Sequence, residues 1–167
     1  NHNVNTLVKL YPWEWLMREK FGSHIPTSGV NFIEPPWKTI LANKGLLPLL
    51  WGMFEGHPNL LPSFFEDDPA SSQLIDSGSY VRKPLLSRQG ANIEIVDNGN
   101  VLIKSEGPYA EDLHIVQGFE PLPEFDGRYP LVGCWMVASK AVGLCIREDN
   151  NLVTGTGANV IPHVILD

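Results

Sequence analysis

The chain has 167 residues, 43% of them hydrophobic and 10% aromatic, and a formal net charge of −7. That length suits one domain and that apolar content supports a packed core, which excludes a disordered chain. The acidic balance excludes a nucleic-acid scaffold and an anionic membrane surface as partners, because both select a basic face, so any phosphate binding has to be local.

Residues 6–21 open with a short apolar strand and a proline, followed by a helix with Trp13, Leu16, Met17 and Lys20 at helical spacing and Gly22 as its stop. Its aromatics suit a core better than a ligand cage. A loop and short strand follow from Gly29 to Pro36. A second helix is predicted from Trp37, stepping at Asn43, Lys44 and Gly45 and continuing to Phe54, with Pro48 as a kink or a new start. The segment HPNLLPSFFEDDPASS, from His57 to Ser72, is punctuated by prolines and predicts an exposed loop with an acidic tip.

Beyond it the pattern changes to short strands at 80–86, 91–96, 101–105, 114–119, 128–138, 141–147 and 160–166. Asp97-Asn98-Gly99 signals one hairpin turn and Ser139-Lys140 another. The expected class is α+β, with a mostly helical part over 1–70 and an antiparallel sheet part over 71–167. Cys134 and Cys145 stand eleven apart in apolar strands with no His or Cys at metal-ligand spacing, which predicts buried free thiols in a reducing compartment. No apolar run reaches the roughly 18 residues of a membrane span, and the opening NHNVNTLVKL lacks the features of a signal peptide, so a cytoplasmic protein is expected. The opening Asn and its strand-like surroundings suggest a piece of something longer.

The chemistry-bearing stretch is YVRKPLLSRQGANIEIV, residues 80–96. Lys83 is held on a strand, Gly90 lets backbone N–H groups approach an anion, and Arg88 adds a cation beside that turn. The absence of G-x-x-x-x-G-K-[ST] argues for a hairpin lid rather than a P-loop, and an ordinary charged hairpin is the plain alternative. Lys44 at the helix step supplies a second point charge, a role suited to phosphate contact. The run Ile115 to Pro123 can offer backbone groups to an adenine edge. Arg147 reads either as a clamp on a transferring phosphoryl group or as a strand-end residue paired with Glu148 and Asp149. His57 and His163 lack any nucleophile or metal motif, and Glu66, Asp67 and Asp68 suit solubility or a helix cap better than Mg²⁺.

Taken in order, LYPWEW, EPPWKTILANKGLLPLLW, GHPNLLP, YVRKPLLSRQGANIEI, GRYPLVGCWMV and GLCIRED resemble the C-terminal portion of the glutathionylspermidine synthase family along nearly the whole chain. The resemblance implies an ATP-grasp-like fold and a ligase in which ATP phosphorylates a carboxylate and an amine displaces phosphate. It implies that Lys44 and Lys83 bind phosphates, that Gln89 and Gly90 form a mobile phosphate loop, and that Gln117, Gly118, Phe119 and Glu120 form the adenine hinge. Leu131 falls where relatives can carry a glutamine, Leu152 and Val153 match pocket-lining residues, and Arg147 matches an arginine that stabilises the transferring phosphate. The family's Mg²⁺ ligands and most acid-substrate residues lie upstream of the matched region. The implied partners are a glutathione-like acid and a polyamine-like amine. The rival readings are a nucleotide-binding or protein-interaction module that catalyses nothing, and a kinase-like phosphotransferase.

Overall fold

The computed structural model of the chain describes residues 3–165. Its strands fall into three sheets. A two-stranded parallel pair joins β1 (Thr6–Val8) to β2 (Asn31–Ile33). A five-stranded antiparallel sheet has the order β3-β7-β4-β5-β6, from β3 (Ser63–Phe65), β7 (His114–Gly118), β4 (Tyr80–Pro84), β5 (Glu94–Asp97) and β6 (Asn100–Lys104). A three-stranded antiparallel sheet has the order β10-β9-β8, from β10 (Asn159–Ile161), β9 (Lys140–Asp149) and β8 (Tyr129–Val137). The α+β class and its antiparallel sheets are as expected from sequence.

The helices are short: α1 (Trp13–Arg18), α2 (Thr39–Ala42), α3 (Leu46–Met53) and α4 (Ser71–Asp76). Residues 1–70 are thus less helical than their periodicity suggests, since three strands interleave with them. The predicted step at 43–45 is a true break, because the Asn43 side chain accepts from the Gly45 N–H at 2.8 Å and diverts the backbone from helix. Pro48 lies in the first turn of α3, where a missing N–H costs little, so it starts a helix and does not kink one.

Four expectations need correction. The segment 57–72 is not all loop, because β3 forms inside it by pairing with β7. The last strand is shorter than 160–166, and Leu166 lies outside the described residues. The β8–β9 turn is centred on Ala138 and Ser139, both with positive φ, with Val137 opposite Lys140. Cys134 is exposed and Cys145 half-buried, because the hairpin carrying them leaves much of its apolar surface uncovered, Trp135 at 67% exposure among it.

The core is small and sits on one face of the five-stranded sheet. Val81, Ile93 and Ile95 pack together there, with Ile103, Phe119, Leu152 and Val153 against them. Leu152 and Val153 come from the segment after β9, so the core joins the large sheet to the smaller one.

Candidate functional site

Where β4 and β7 pair, residues two apart share a face, and Val81 and Lys83 point to the same side as Ile115 and Gln117. That face forms the floor of a cavity of about 380 Å³, within the size range of small-molecule sites. Its walls are Val81, Ile93, Ile95, Phe119, Leu122, Leu131, Leu152 and Val153, all apolar. Lys44, Lys83, Gly90, Glu120 and Thr154 complete it. An apolar cavity that also holds two lysines close enough for one charge to act on the other suits a flat ring joined to an anion.

Each lysine is held by a different device. The Lys44 backbone N–H donates to Leu85 O at 2.8 Å, and its Nζ donates to Ser87 O at 2.5 Å and Ser87 Oγ at 3.0 Å. Burial, then the Lys83 charge, then Arg88 push its pKa down to about 8. Lys83 Nζ donates to Gln117 Oε1 at 2.6 Å, and burial lowers its pKa. Two cations brought this close and this deep are costly alone, and an anionic ligand would relieve both.

The loop between β4 and β5 turns through three left-handed residues, Gln89 (φ 53), Gly90 (φ 76) and Asn92 (φ 54). A Cβ on Gly90 would stand 2.4 Å from Val153 Cγ1, so both conformation and contact require glycine. Ser105 Oγ donates to Gly90 O at 2.5 Å and accepts from the Ile93 N–H at 2.8 Å, pinning the loop's far end. Arg88 faces away from the cavity: its guanidinium grips Glu14, a carboxylate only 4% exposed, at 2.8–3.1 Å and ties the loop to α1.

Of the twelve residues singled out by sequence, Lys44, Lys83, Gly90, Phe119, Glu120, Leu131, Leu152 and Val153 line this one cavity. Gln89 is exposed at the loop tip. Gly118 ends the β7 ladder, donating from its N–H to Pro62 O at 2.8 Å, and the backbone of Phe119 and Glu120 then leaves along the rim. Gln117 is buried on the same sheet face but does not line the cavity, and packs against Lys83 and Ser63. Arg147 lies opposite Leu131 on β9 and lines a neighbouring hollow with Gly133, Trp135 and Cys145, its Nη2 donating to Gly155 O at 2.7 Å. The partners expected for it from its acidic neighbours are not the ones it uses.

Sequence reasoning missed Ser63, Ser87, Ser105 and Glu14, the groups that hold the cations and the loop. Only their partners' positions in the fold reveal them. Glu66 is an ion-pair partner of Arg82, and Asp68 Oδ1 accepts from the Ala70 N–H at 2.9 Å, a turn contact leading into α4. Among the described residues no cluster of three or more His, Cys, Asp or Glu side chains could hold a metal ion, and no helix is long and apolar enough to cross a membrane. Glu120 is the one carboxylate on the cavity wall, so these residues do not fit a Mg²⁺ site.

The family model described as "Glutathionylspermidine synthase preATP-grasp" matches residues 1–166. The chain belongs to this family. It is 40% identical over 166 residues to a Haemophilus influenzae protein named as an acid–amine ligase, covering 96% of this chain and 42% of that protein. It is 35% identical over 138 residues to the bifunctional glutathionylspermidine synthetase/amidase of Escherichia coli, covering 82% of this chain and 22% of that protein. It is 36% identical over 127 residues to the trypanothione synthetase of Crithidia fasciculata, covering 75% of this chain and 19% of that protein. The chain therefore spans less than half the length of these relatives.

Proposed function

We propose that the chain is the nucleotide-binding part of an ATP-grasp-like ligase that joins a carboxylate to an amine. The observation that carries this reading is that Lys44, Lys83 and Gly90 line one cavity whose other walls are mainly apolar. Bound ATP would supply the phosphoryl group that activates the carboxylate as an acylphosphate for attack by the amine. The chain's own residues would bind and orient. Lys44 and Lys83 would contact the phosphates, Leu131, Leu152, Val153 and Phe119 would sandwich the base, and the backbone of the hinge from Gln117 to Glu120 would meet its edge.

Gln89 and Gly90 would lie over the phosphates, keeping water from them. Arg147 spends one donor on Gly155 and keeps other guanidinium N–H groups for the charge developing on a transferring phosphate. In this reading Mg²⁺ would be held by residues outside this chain. A glutathione-like acid and a polyamine-like amine are the substrates that the relatives' names favour.

Calorimetric titration with ADP and ATP tests this reading on the chain itself. Lys83→Ala removes a charged contact worth roughly 1.5 to 3 kcal/mol, a loss of about 10- to 150-fold in affinity. Unchanged affinity would remove Lys83 from the site. Absence of binding by the parent chain would favour the non-catalytic rival or a site completed elsewhere, and a longer form carrying the relatives' remaining length separates those two.

A further inference from the structure

On the sheet face that forms the cavity floor runs a short polar chain across three strands. Ser63 on β3 stands opposite Gln117 on β7, which stands opposite Val81 on β4, and Lys83 lies two residues further along β4 on the same face. Lys83 Nζ donates to Gln117 Oε1 at 2.6 Å, Gln117 Nε2 donates to Ser63 Oγ at 3.1 Å, and Ser63 Oγ donates to Leu61 O at 2.9 Å. Ser63 is 1% exposed and Gln117 7%, so water offers little substitute for any of these partners.

A side-chain amide has a donor end and an acceptor end, and its orientation is a choice between two rotations. Here both ends settle it. The hydroxyl proton of Ser63 is committed to Leu61 O, leaving an oxygen that can only accept, so it demands the Gln117 NH₂. An ammonium has donors alone, so Lys83 demands the Gln117 oxygen. We infer that Ser63 is a positioning residue: it fixes the Gln117 amide, and through it holds the Lys83 ammonium charged and aimed into the cavity. One ammonium proton is held by the relay, and the other two are left for an anion. The amide oxygen also supports the charged form against burial, the dominant influence on this lysine. That the anion is a nucleotide phosphate rests on the function proposed above; the relay itself does not.

The experiment therefore reads the relay with and without nucleotide. In ligand-free protein, the ¹³Cε resonance of Lys83 is followed through its titration in the parent, Ser63→Ala, Gln117→Glu and the double variant. Ser63→Ala removes the acceptor that anchors the Gln117 NH₂, leaving the amide held at the lysine end alone and its oxygen less firmly placed, so Lys83 should deprotonate at lower pH than in the parent. A carboxylate has an acceptor at either end and needs no orienting, so in the Gln117→Glu background the Ser63→Ala change should move the Lys83 titration little. Gln117→Met, which removes the amide at similar volume, should lower the Lys83 titration as Ser63→Ala does and guards against a folding defect in any one variant. In the parent background, ADP affinity should fall roughly 2- to 10-fold with Ser63→Ala, the range of one intramolecular hydrogen bond.

An unmoved Lys83 titration in Ser63→Ala would overturn the inference, as would an equal displacement in both backgrounds, which would mean a purely structural role. A displaced titration with undiminished ADP affinity would overturn the positioning role. If the parent binds no nucleotide while the titrations behave as stated, the relay stands, and the longer form decides the functional reading.

Discussion

Lys44 shows how far one side chain's chemistry can depend on its neighbours. Its pKa of about 8, pulled down by burial and then by Lys83 and Arg88, places its charge at risk under mildly alkaline conditions. A bound phosphate favours the protonated form, so binding above pH 8 must first return a proton to Lys44. Nucleotide affinity should therefore hold between pH 6.5 and 7.5 and fall as pH rises through about 8, approaching tenfold per unit while Lys44 is neutral in the free protein and charged in the complex. Titration at pH 8.5 in two buffers of different ionisation enthalpy should show proton uptake. Lys44→Arg, which stays charged, should reduce both the uptake and the pH dependence by the share that Lys44 contributes. A flat affinity from pH 7 to 9 in the parent would exclude a phosphate contact for Lys44. The sequence marked Lys44 and Lys83 as point charges because one stands at a helix step and the other in a strand, but the groups that tune them were hidden. Ser87 and Gln117 come within reach only after β4, β7 and the 43–45 break are folded together.

Turns and strands divide at the scale of elements into those written locally and those imposed by partners. Asn98-Gly99 supplies two left-handed residues suited to a two-residue hairpin turn, and the turn forms where its sequence says. The β8–β9 hairpin does not follow that rule: Ala138 and Ser139 occupy the same two positions with φ of 49° and 63°, where neither residue is at ease. Cross-strand pairing from Tyr129↔Asp149 to Val137↔Lys140 dictates that position against local preference, which is why sequence set the turn one residue late. Replacing the pair by Ala138→Asn with Ser139→Gly should relieve the strain and stabilise the protein by about 1 kcal/mol, after allowing for the greater freedom of glycine in the unfolded chain. Urea denaturation checks it, and a destabilised variant would mean that the hairpin is not constrained as described. The opposite test lies at Gly90, where φ is 76° and a Cβ would collide with Val153. Gly90→Ala should lose about 1 to 2 kcal/mol from the left-handed conformation alone and lift the loop off the cavity. Strand β3 was illegible because Pro58, Pro62 and Pro69 dominate its local pattern, whereas its existence depends on the edge that β7 offers.

Across the whole molecule, the resemblance along residues 1–166 was legible because motifs in order are more specific than any one of them, and the α+β class followed from the change of periodicity near residue 80. The extent of helix was not, because apolar spacing in 1–70 is satisfied by short helical turns between strands. Stability against acid is a property at this scale, since it depends on a cluster that ties β3, β4 and β7 together. The carboxylate of Glu66, just beyond β3, grips Arg82 on β4, while His114 on β7 is buried with its Nδ1 3.9 Å from Glu66 Oε2. Hydrogen bonding to Arg82 is the main influence holding the Glu66 pKa below its ordinary value, and burial followed by the Arg82 charge lowers that of His114. Both shifts have the same sign for folding, because in each window the unfolded chain binds more protons than the folded one. The stability contributed by neutral His114 is complete above its ordinary value of 6.5 and is lost as pH falls through the window down to its folded pKa. The contribution of ionised Glu66 is complete above its ordinary value of 4.5 and is lost at still lower pH. Thermal unfolding at pH 7.5, 5.5 and 3.5 should therefore show a midpoint that drops in two stages, with His114→Gln weakening the first stage and leaving the second. A midpoint unchanged between pH 7.5 and 5.5 would mean that His114 takes up its proton inside the fold without penalty, and the cluster would then not be the link through which acid loosens the sheet.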